Sequence, residues 1–437
     1  MRPTQPNVLL LHWHDVGKHL GCYGATGAPS PHVDALARDG FRFDNAFCTA
    51  PQCSPARGSL LTSLYPHRNG LMGLVNRGWT LPQQPTLPTH LGALGYRTAL
   101  IGVQHESRDA ATLGYSERLA TDVGGSCGPV AEAARGWLHE RAAEQRTGDG
   151  PHRPFYASIG FFETHRPYSD RYQPADPAGV HVPPHLPDND FTRQDLAAFY
   201  GSIRAADHAL GAILATLEET GLAEDTWVLF TSDHGIAFPG AKGSLYDPGI
   251  EVALIARPPH RWQGRDRGAV PHLASHLDLL PTVLDLAGGT APPGLDGLSL
   301  ADYLRGGPPP RRDRLYAEKT FHDHYDPTRA VRTERYKYIR SFEERPRLMI
   351  PGDVLAAETT RGFGSDHWRH RATEELYDLS ADPLERDNLA EDPDLASLVA
   401  ELAADLRHWQ ENTHDPVLTG AVPDPLATAR GNFEEEV

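Results

Sequence analysis

Cysteine is scarce in this chain, with only Cys22, Cys48, Cys53 and Cys127 in 437 residues. Four thiols in that length do not make a disulfide framework. Long apolar runs are also missing, and no stretch approaches the roughly 20 residues of a membrane span. Positive charge is in deficit: 41 Lys and Arg face 58 Asp and Glu, for a formal net charge of −17. That balance argues against a general nucleic-acid or anionic-membrane surface, but leaves room for a local positive pocket. Residues 1–6 lead into an apolar segment without an h-region or cleavage site, so the chain is expected to be cytoplasmic.

The remaining composition is that of an ordinary soluble enzyme, 39% hydrophobic and 23% charged, and not of a disordered chain. A chain of 437 residues suggests one large α/β domain with a smaller companion. Asn7-Val8-Leu9-Leu10-Leu11 reads as a fully buried strand of a parallel sheet. Further buried strands are expected at 97–102, 155–161, 227–230 and 252–256. Helices are expected at 31–38, 87–94, 130–145, 192–220 and 275–286, with a loop rich in Gly, Asp and Pro after 145. Strands alternating with helices argue for a large, doubly wound, mostly parallel sheet. The Pro/Gly/Arg stretch 306–312 reads as a boundary. It separates a domain of residues 1–312 from a smaller α+β domain, 313–437, with an antiparallel sheet. Short strands are expected there at 331–333, 336–340 and 375–378, with a last helix at 393–409.

Ser54 and Pro55 are favoured at a helix start, which places Cys53 at a helix N-terminus with Leu60, Leu61 and Leu64 on an inward face. Such a position favours anions and activates a thiol or its derivative. Arg57 follows at i+4 on the same face. Four expected strands end in ionisable residues: His14 and Asp15, His105, His165, then Asp233 and His234. Open α/β folds place their sites at the carboxyl edge of the sheet, so these ends are candidates to converge. His14, Asp15, Asp233 and His234 offer two imidazoles and two carboxylates, a mixed set suited to a divalent metal. His12, His19 and His67 have only proximity in sequence to recommend them and read as ordinary structural residues.

The run Cys53-Ser54-Pro55-Ala56-Arg57 matches the C-x-P-x-R signature of the sulfatases, in the alkaline-phosphatase superfamily, and the chain resembles that family over nearly its whole length. Supporting runs are Gly21-Cys22-Tyr23-Gly24, Leu61-Thr62-Ser63-Leu64-Tyr65-Pro66-His67-Arg68 and Thr231-Ser232-Asp233-His234-Gly235. Within the family it looks most like the heparan N-sulfatase branch, through Asn69-Gly70-Leu71-Met72-Gly73-Leu74, Ile236-Ala237-Phe238-Pro239-Gly240-Ala241-Lys242, Leu245-Tyr246-Asp247-Pro248-Gly249 and Thr413-His414-Asp415-Pro416. The resemblance implies an alkaline-phosphatase-like fold and release of sulfate from a small sulfated substrate, including N-sulfated amino sugars. It also implies oxidation of Cys53 to formylglycine (3-oxoalanine) by a formylglycine-generating enzyme, and one divalent metal ion. By resemblance Arg57 stabilises charge, His105 takes a proton during sulfate release, and His165 and Lys242 bind sulfate and assist the leaving group.

Three positions depart from the family pattern. The first of its usual aspartate pair is His14, and its Asp-Asn pair is Asp233-His234. Two imidazoles favour Mn²⁺, Zn²⁺ or Fe²⁺ over Ca²⁺. The family's G-K-x-H segment is Gly102-Val103-Gln104-His105, so Val103 replaces a sulfate-binding lysine. These departures keep two alternatives open. One is hydrolysis of a phosphonate monoester or phosphodiester, as in related formylglycine enzymes with an Asp-His metal pair. The other is binding of a sulfated ligand without turnover. Substrate contacts are expected in Asn76-Arg77-Gly78-Trp79, in His322-Asp323-His324-Tyr325 and in Thr413-His414-Asp415, with Arg77 and His324 as the candidates.

Overall fold

A computed structural model describes residues 5–147 and 153–426. Residues 1–4, and most of the loop expected after 145, lie outside the described residues. An eight-stranded sheet contains β1 (Asn7–Trp13), β2 (Phe41–Phe47), β3 (Arg97–Gly102), β4 (Glu117–Leu119), β5 (Phe155–Phe161), β6 (Thr226–Ser232), β7 (Leu254–Arg257) and β8 (Gly268–Ser275). Their order is β4-β3-β5-β1-β6-β7-β2-β8. Every pairing is parallel except those of β7, which runs antiparallel to both β6 and β2.

Every residue of β1, β5 and β6 is buried. Alternation along β1 sends Val8 and Leu10 into one apolar layer and Leu9, Leu11 and Trp13 into the other, so helices must cover both faces. The Cys53–Thr62 and Leu279–Leu286 helices supply Leu60, Leu61, Leu280 and Val283 to the first layer. The Pro31–Arg38, Cys127–Thr147 and Asp190–Glu219 helices supply Val33, Leu138, Leu196 and Leu210 to the second. Asn189 caps the longest of these by accepting from Thr192 N at 3.0 Å, and Gly221 follows its end in the left-handed region at φ 75°.

Register aligns the strand ends. His12 pairs with Gly160 of β5 and with Thr231 of β6, while Gly102 of β3 also pairs with Gly160. The residues that follow these four strands therefore emerge along one edge. Two expectations are corrected on this sheet. The strand expected at 252–256 is β7, 254–257, and it is antiparallel. The helix expected from 275 starts at Leu279, because Ser275 ends β8 and forms a capping box with Asp278.

A second, four-stranded antiparallel sheet has the order β12-β11-β10-β9, from β9 (Leu315–Phe321), β10 (Tyr325–Arg332), β11 (Tyr336–Ser341) and β12 (Glu374–Asp378). The Ala396–Asn412 helix lays Leu402, Leu406 and Trp409 against Val331, Tyr338 and Leu376. Tyr65 and Leu277, from the large-sheet region, sit in the same cluster. Among the described residues no helix is long and apolar enough to cross a membrane.

Candidate active site

Cys53 is the first residue of the Cys53–Thr62 helix. Gln52 precedes it in extended conformation as the N-cap, one residue earlier than Ser54 and Pro55 suggest, and no side chain caps the turn. Ser54 Oγ instead accepts from Val75 N at 3.1 Å. The helix is not one-faced: all ten of its residues are buried, and Leu64 lies beyond its end, where Ser63 turns left-handed at φ 56°.

The ends of β1 and β6 meet over Cys53. Its Sγ lies 3.3 Å from His234 Nε2 and 3.8 Å from Asp15 Oδ1. His234 Nε2 is 3.0 Å from Asp15 Oδ1 and 3.7 Å from Asp233 Oδ1. Asp15 holds a left-handed backbone at φ 48°, and its N–H donates to Asp233 Oδ1 at 2.9 Å. Strain of this kind persists only where the surroundings fix it. Gly235 allows the close crossing behind the site, since a Cβ there would stand 1.8 Å from Pro248 O.

His14, Asp15, Cys53 and Asp233 offer ligand atoms all within 4.8 Å of one another. His14 is fully buried, with Nδ1 3.1 Å from Asp233 Oδ2, yet neither ring nitrogen completes a hydrogen bond. A buried imidazole without partners costs stability, and it faces two carboxylates. This donor set fits a divalent cation. His234 is oriented for the same centre, because Nδ1 donates to Gly235 O at 2.9 Å and turns Nε2 toward Asp15.

Cations of the chain's own ring this cluster. Arg57 donates from Nε to Asp233 Oδ2 at 3.1 Å and lies 2.7 Å from His12 Nδ1 through its NH1. Lys242 donates to Asp15 Oδ2 at 2.8 Å and to Asp353 Oδ2 at 2.7 Å, with His165 Nε2 at 3.5 Å. Burial would raise the Cys53 thiol, but the positive charge of Lys242 and His234, with the imidazoles of His105 and His14 nearby, holds it well below its ordinary value. Burial would likewise raise Asp15, yet Lys242 and His165 draw it down to about 2. Asp233 is also held low: burial opposes this, and His234 and Arg57 override it. The edge is a compact field of paired charges around one sulfur atom.

His105 and His165 complete the ring. The His105 and His14 ring centroids are 4.8 Å apart, and Phe162 stacks on His165 at 4.4 Å. Arg166 fixes the His165 loop through Asp195, at 2.8 and 2.6 Å, and through Ala237 O at 2.6 Å. These bonds tie that loop to the turn carrying Lys242. Val103 presents no charge, and a Cβ on Gly125 would lie 3.0 Å from its own Cβ. Gln104 is spent on the turn, accepting from Glu106 N at 2.9 Å and Ser107 N at 3.0 Å.

The nine residues read from strand ends, signature and resemblance (His14, Asp15, Cys53, Arg57, His105, His165, Asp233, His234 and Lys242) are therefore brought together. Arg77 stands at the rim, 53% exposed along its side chain, donating to Asp323 Oδ1 at 2.6 Å. His324 is exposed, whereas its neighbour His322 is buried, with Nδ1 on Asp323 and no partner for Nε2. Sequence reasoning missed three participants. His12 is more than the structural residue its sequence position suggests, because it braces Arg57. Its spacing of two from His14 along an extended chain is the signal that points to it. Glu106 is buried, facing Arg57, and its burial raises the carboxyl against that charge. Asp353 has no local signal, because it reaches Lys242 from after the second sheet's third strand. His67 and His19 do behave as structural residues, paired with Glu318 and Tyr200.

A family model for sulfatases matches residues 6–289, and a model of the N-sulphoglucosamine sulphohydrolase C-terminal region matches 239–349. The chain is 32% identical to N-sulphoglucosamine sulphohydrolase of Homo sapiens over 472 positions, covering 95% of this chain and 92% of that protein. Among solved structures, a 2-O GAG sulfatase superposes with a TM-score of 0.69 at 23% identity, covering 95% of this chain and 94% of that one. Phosphonate monoester hydrolase of Agrobacterium radiobacter also gives 0.69 at 23% identity, with 93% and 96% covered. At that identity the two superpositions speak for the alkaline-phosphatase-like fold alone. The family match and the human relative carry the assignment, and the chain belongs to the sulfatases, hydrolases of sulfate esters and sulfamates.

Proposed function

We propose that this sulfatase releases sulfate from a small sulfated saccharide, an N-sulfated amino sugar being the first choice. Its nucleophile is made from Cys53, and a divalent cation is held by His14, Asp15, Asp233 and His234. The observation that carries the reading is the placement of Cys53 Sγ, buried at a helix start within 3.3 Å of His234 and 3.8 Å of Asp15. The similarity to the human N-sulphoglucosamine sulphohydrolase supports the choice of sugar. A formylglycine-generating enzyme is the partner such a nucleophile requires.

Formylglycine supplies an oxygen nucleophile in place of sulfur, and the cation supplies Lewis-acid stabilisation. The remaining chemistry belongs to the chain. Arg57, held rigid between Asp233 and His12, offers fixed positive charge beside the attacking atom. Lys242, neutralised on one side by Asp15 and on the other by Asp353, places its ammonium against the transferring group. His165 has Nδ1 engaged by Arg166 O, so Nε2 is the atom that can hand a proton to the leaving oxygen or nitrogen. His105, near Cys53 and across from His14, is placed to take a proton when sulfate departs.

Hydrolysis of a phosphonate monoester or phosphodiester is the second reading. Val103 stands where the family pattern has a lysine and His234 where it has an asparagine, and these two departures are what keep this reading open. A panel of an N-sulfated glucosamine, an aryl sulfate, a phosphodiester and a phosphonate monoester decides between them. Turnover led by the sulfur substrates is expected, and efficient turnover of only the phosphorus substrates would overturn it.

A further inference from the structure

We propose that a cavity of about 430 Å³ beside the Lys242 turn binds an anionic saccharide residue, bearing sulfate or carboxylate, at a site distinct from the Cys53 centre. The inference takes its choice of a saccharide from the sulfatase reading; the cavity and its charge stand without it. Its volume falls in the range of small-molecule sites. None of the residues around Cys53 lines it.

Charge is the first argument. Arg347, Arg369, Arg386, His185 and His367 line the cavity, opposed by Glu385. Glu385 is already matched, because Lys337 Nζ lies 2.7 Å from its Oε1. A chain of net charge −17 has thus gathered three guanidinium groups around one hollow, whereas burial lowers His185 to about 4 and leaves it an uncharged ring. Guanidinium groups bind carboxylate and sulfate oxygens through paired, directional hydrogen bonds.

Unmet hydrogen-bonding capacity is the second. His367 is 6% exposed and its Nδ1 has no partner; His185 Nε2 has none either. Both nitrogens are closed off within the cavity wall, and each becomes available to a ligand only when its ring turns. Arg369 and Arg386 are exposed, which puts charge at the mouth, while Arg347 forms the inner wall with its guanidinium 5.8 Å from the Tyr246 ring centroid. Phe363 and Leu384 add apolar surface for the face of a sugar ring.

Position is the third. Gly240, Tyr246, Arg347 and Leu348 line both this cavity and the narrow one that Lys242 borders. A second sugar of an oligosaccharide substrate, or a separate anionic saccharide, could occupy it, and the same chemistry recognises either.

The test uses the full chain with Cys53→Ala, which stops turnover, titrated calorimetrically with an N- and O-sulfated heparin-type disaccharide and with its unsulfated counterpart. The charge reversal Arg369→Glu/Arg386→Glu, at exposed positions, is expected to weaken sulfated-disaccharide binding at least about tenfold, the worth of one or two charge-assisted bonds. Arg347→Gln is expected to weaken it by a similar factor from the opposite wall. In the chain with Cys53 intact, the double reversal should leave turnover of a small aryl sulfate unchanged. A raised KM for the disaccharide as substrate assigns the cavity to the substrate's second sugar. An unchanged KM with one equivalent of bound disaccharide lost assigns it to a separate saccharide. Unaltered affinity in both variants, or equal binding of the unsulfated disaccharide, overturns the proposal. Failure to turn over any sulfate would overturn the sulfatase reading and leave the binding result legible.

Discussion

Lys242 donates to Asp353 at 2.7 Å while holding Asp15 at 2.8 Å on its other side, so one ammonium joins the edge of the large sheet to the segment between β11 and β12 of the small one. Burial works against its charge, and Asp15, Cys53 and Asp353 keep it protonated well above its ordinary range. Lys242→Met removes the cation and leaves two carboxylates without it. We expect kcat/KM to fall by roughly 10²–10³, with a stability loss of about 3 kcal/mol. Asp353→Asn, which keeps an acceptor, should cost only about tenfold. Steady-state kinetics beside thermal melts separate the two effects.

Arg57 cannot be exchanged for lysine without consequence. Its guanidinium spans Asp233 and His12, and a lysine can meet only one of them. Arg57→Lys is expected to lower kcat by about 10²-fold with the melting temperature nearly unchanged, and His12→Ala should reproduce part of that loss. Equal activity in Arg57→Lys would show that charge alone matters there.

The cation site should respond to its first ligand. His14 replaces the aspartate usual in the family, and its unsatisfied nitrogens face Asp15 and Asp233. Removing divalent metal with a chelator is expected to abolish turnover and lower the melting temperature. His14→Asp should move metal preference from Mn²⁺ or Zn²⁺ toward Ca²⁺, read by metal content and by which ion restores activity.

Acid stability should depend on a buried pair formed by Arg329 and Asp415, whose burial takes Asp415 out of the expected substrate-contact segment 413–415. Arg329 donates to Asp415 from Nε at 2.7 Å and from its second nitrogen at 2.9 Å. Burial would raise Asp415, but hydrogen bonding and charge from Arg329 bring it down to about 2. A carboxylate depressed in the folded state stabilises it fully above its unfolded value and loses that contribution as pH falls through the folded one. The pair should therefore weaken the fold from about pH 4 down to about pH 2, by roughly 2 kcal/mol. Asp415→Asn should flatten that part of the profile in melts taken across the range, at the cost of lower stability at neutral pH.

Much of the site was legible because β1, β3, β5 and β6 are buried on both faces and read as unbroken apolar runs whose ends stand out. β2, β8 and β9 did not, since sequences such as Phe41-Arg42-Phe43-Asp44-Asn45-Ala46-Phe47 mix polar and apolar residues without helical or strict strand periodicity. The reversal of β7 left no mark either, because an apolar run of three residues ahead of Arg257 carries no sign of its direction. Cys53 and Arg57 were found through their signature and helix spacing. His12 carries a single local signal, its spacing of two from His14 along β1, and its residue type alone does not separate a bracing imidazole from a core one. Asp353 becomes a neighbour of Lys242 only when the segment between β11 and β12 returns to the large sheet, and no short-range pattern encodes that return.

The central claim is that Cys53 carries the nucleophile. The most direct test prepares the protein with graded amounts of a formylglycine-generating enzyme. It then compares the fraction of Cys53 oxidised, by peptide mass spectrometry, with the sulfate-ester turnover of the same samples. Turnover proportional to that fraction, extrapolating to none for the intact thiol, is the predicted result. Full turnover from protein whose Cys53 remains a thiol would contradict the account.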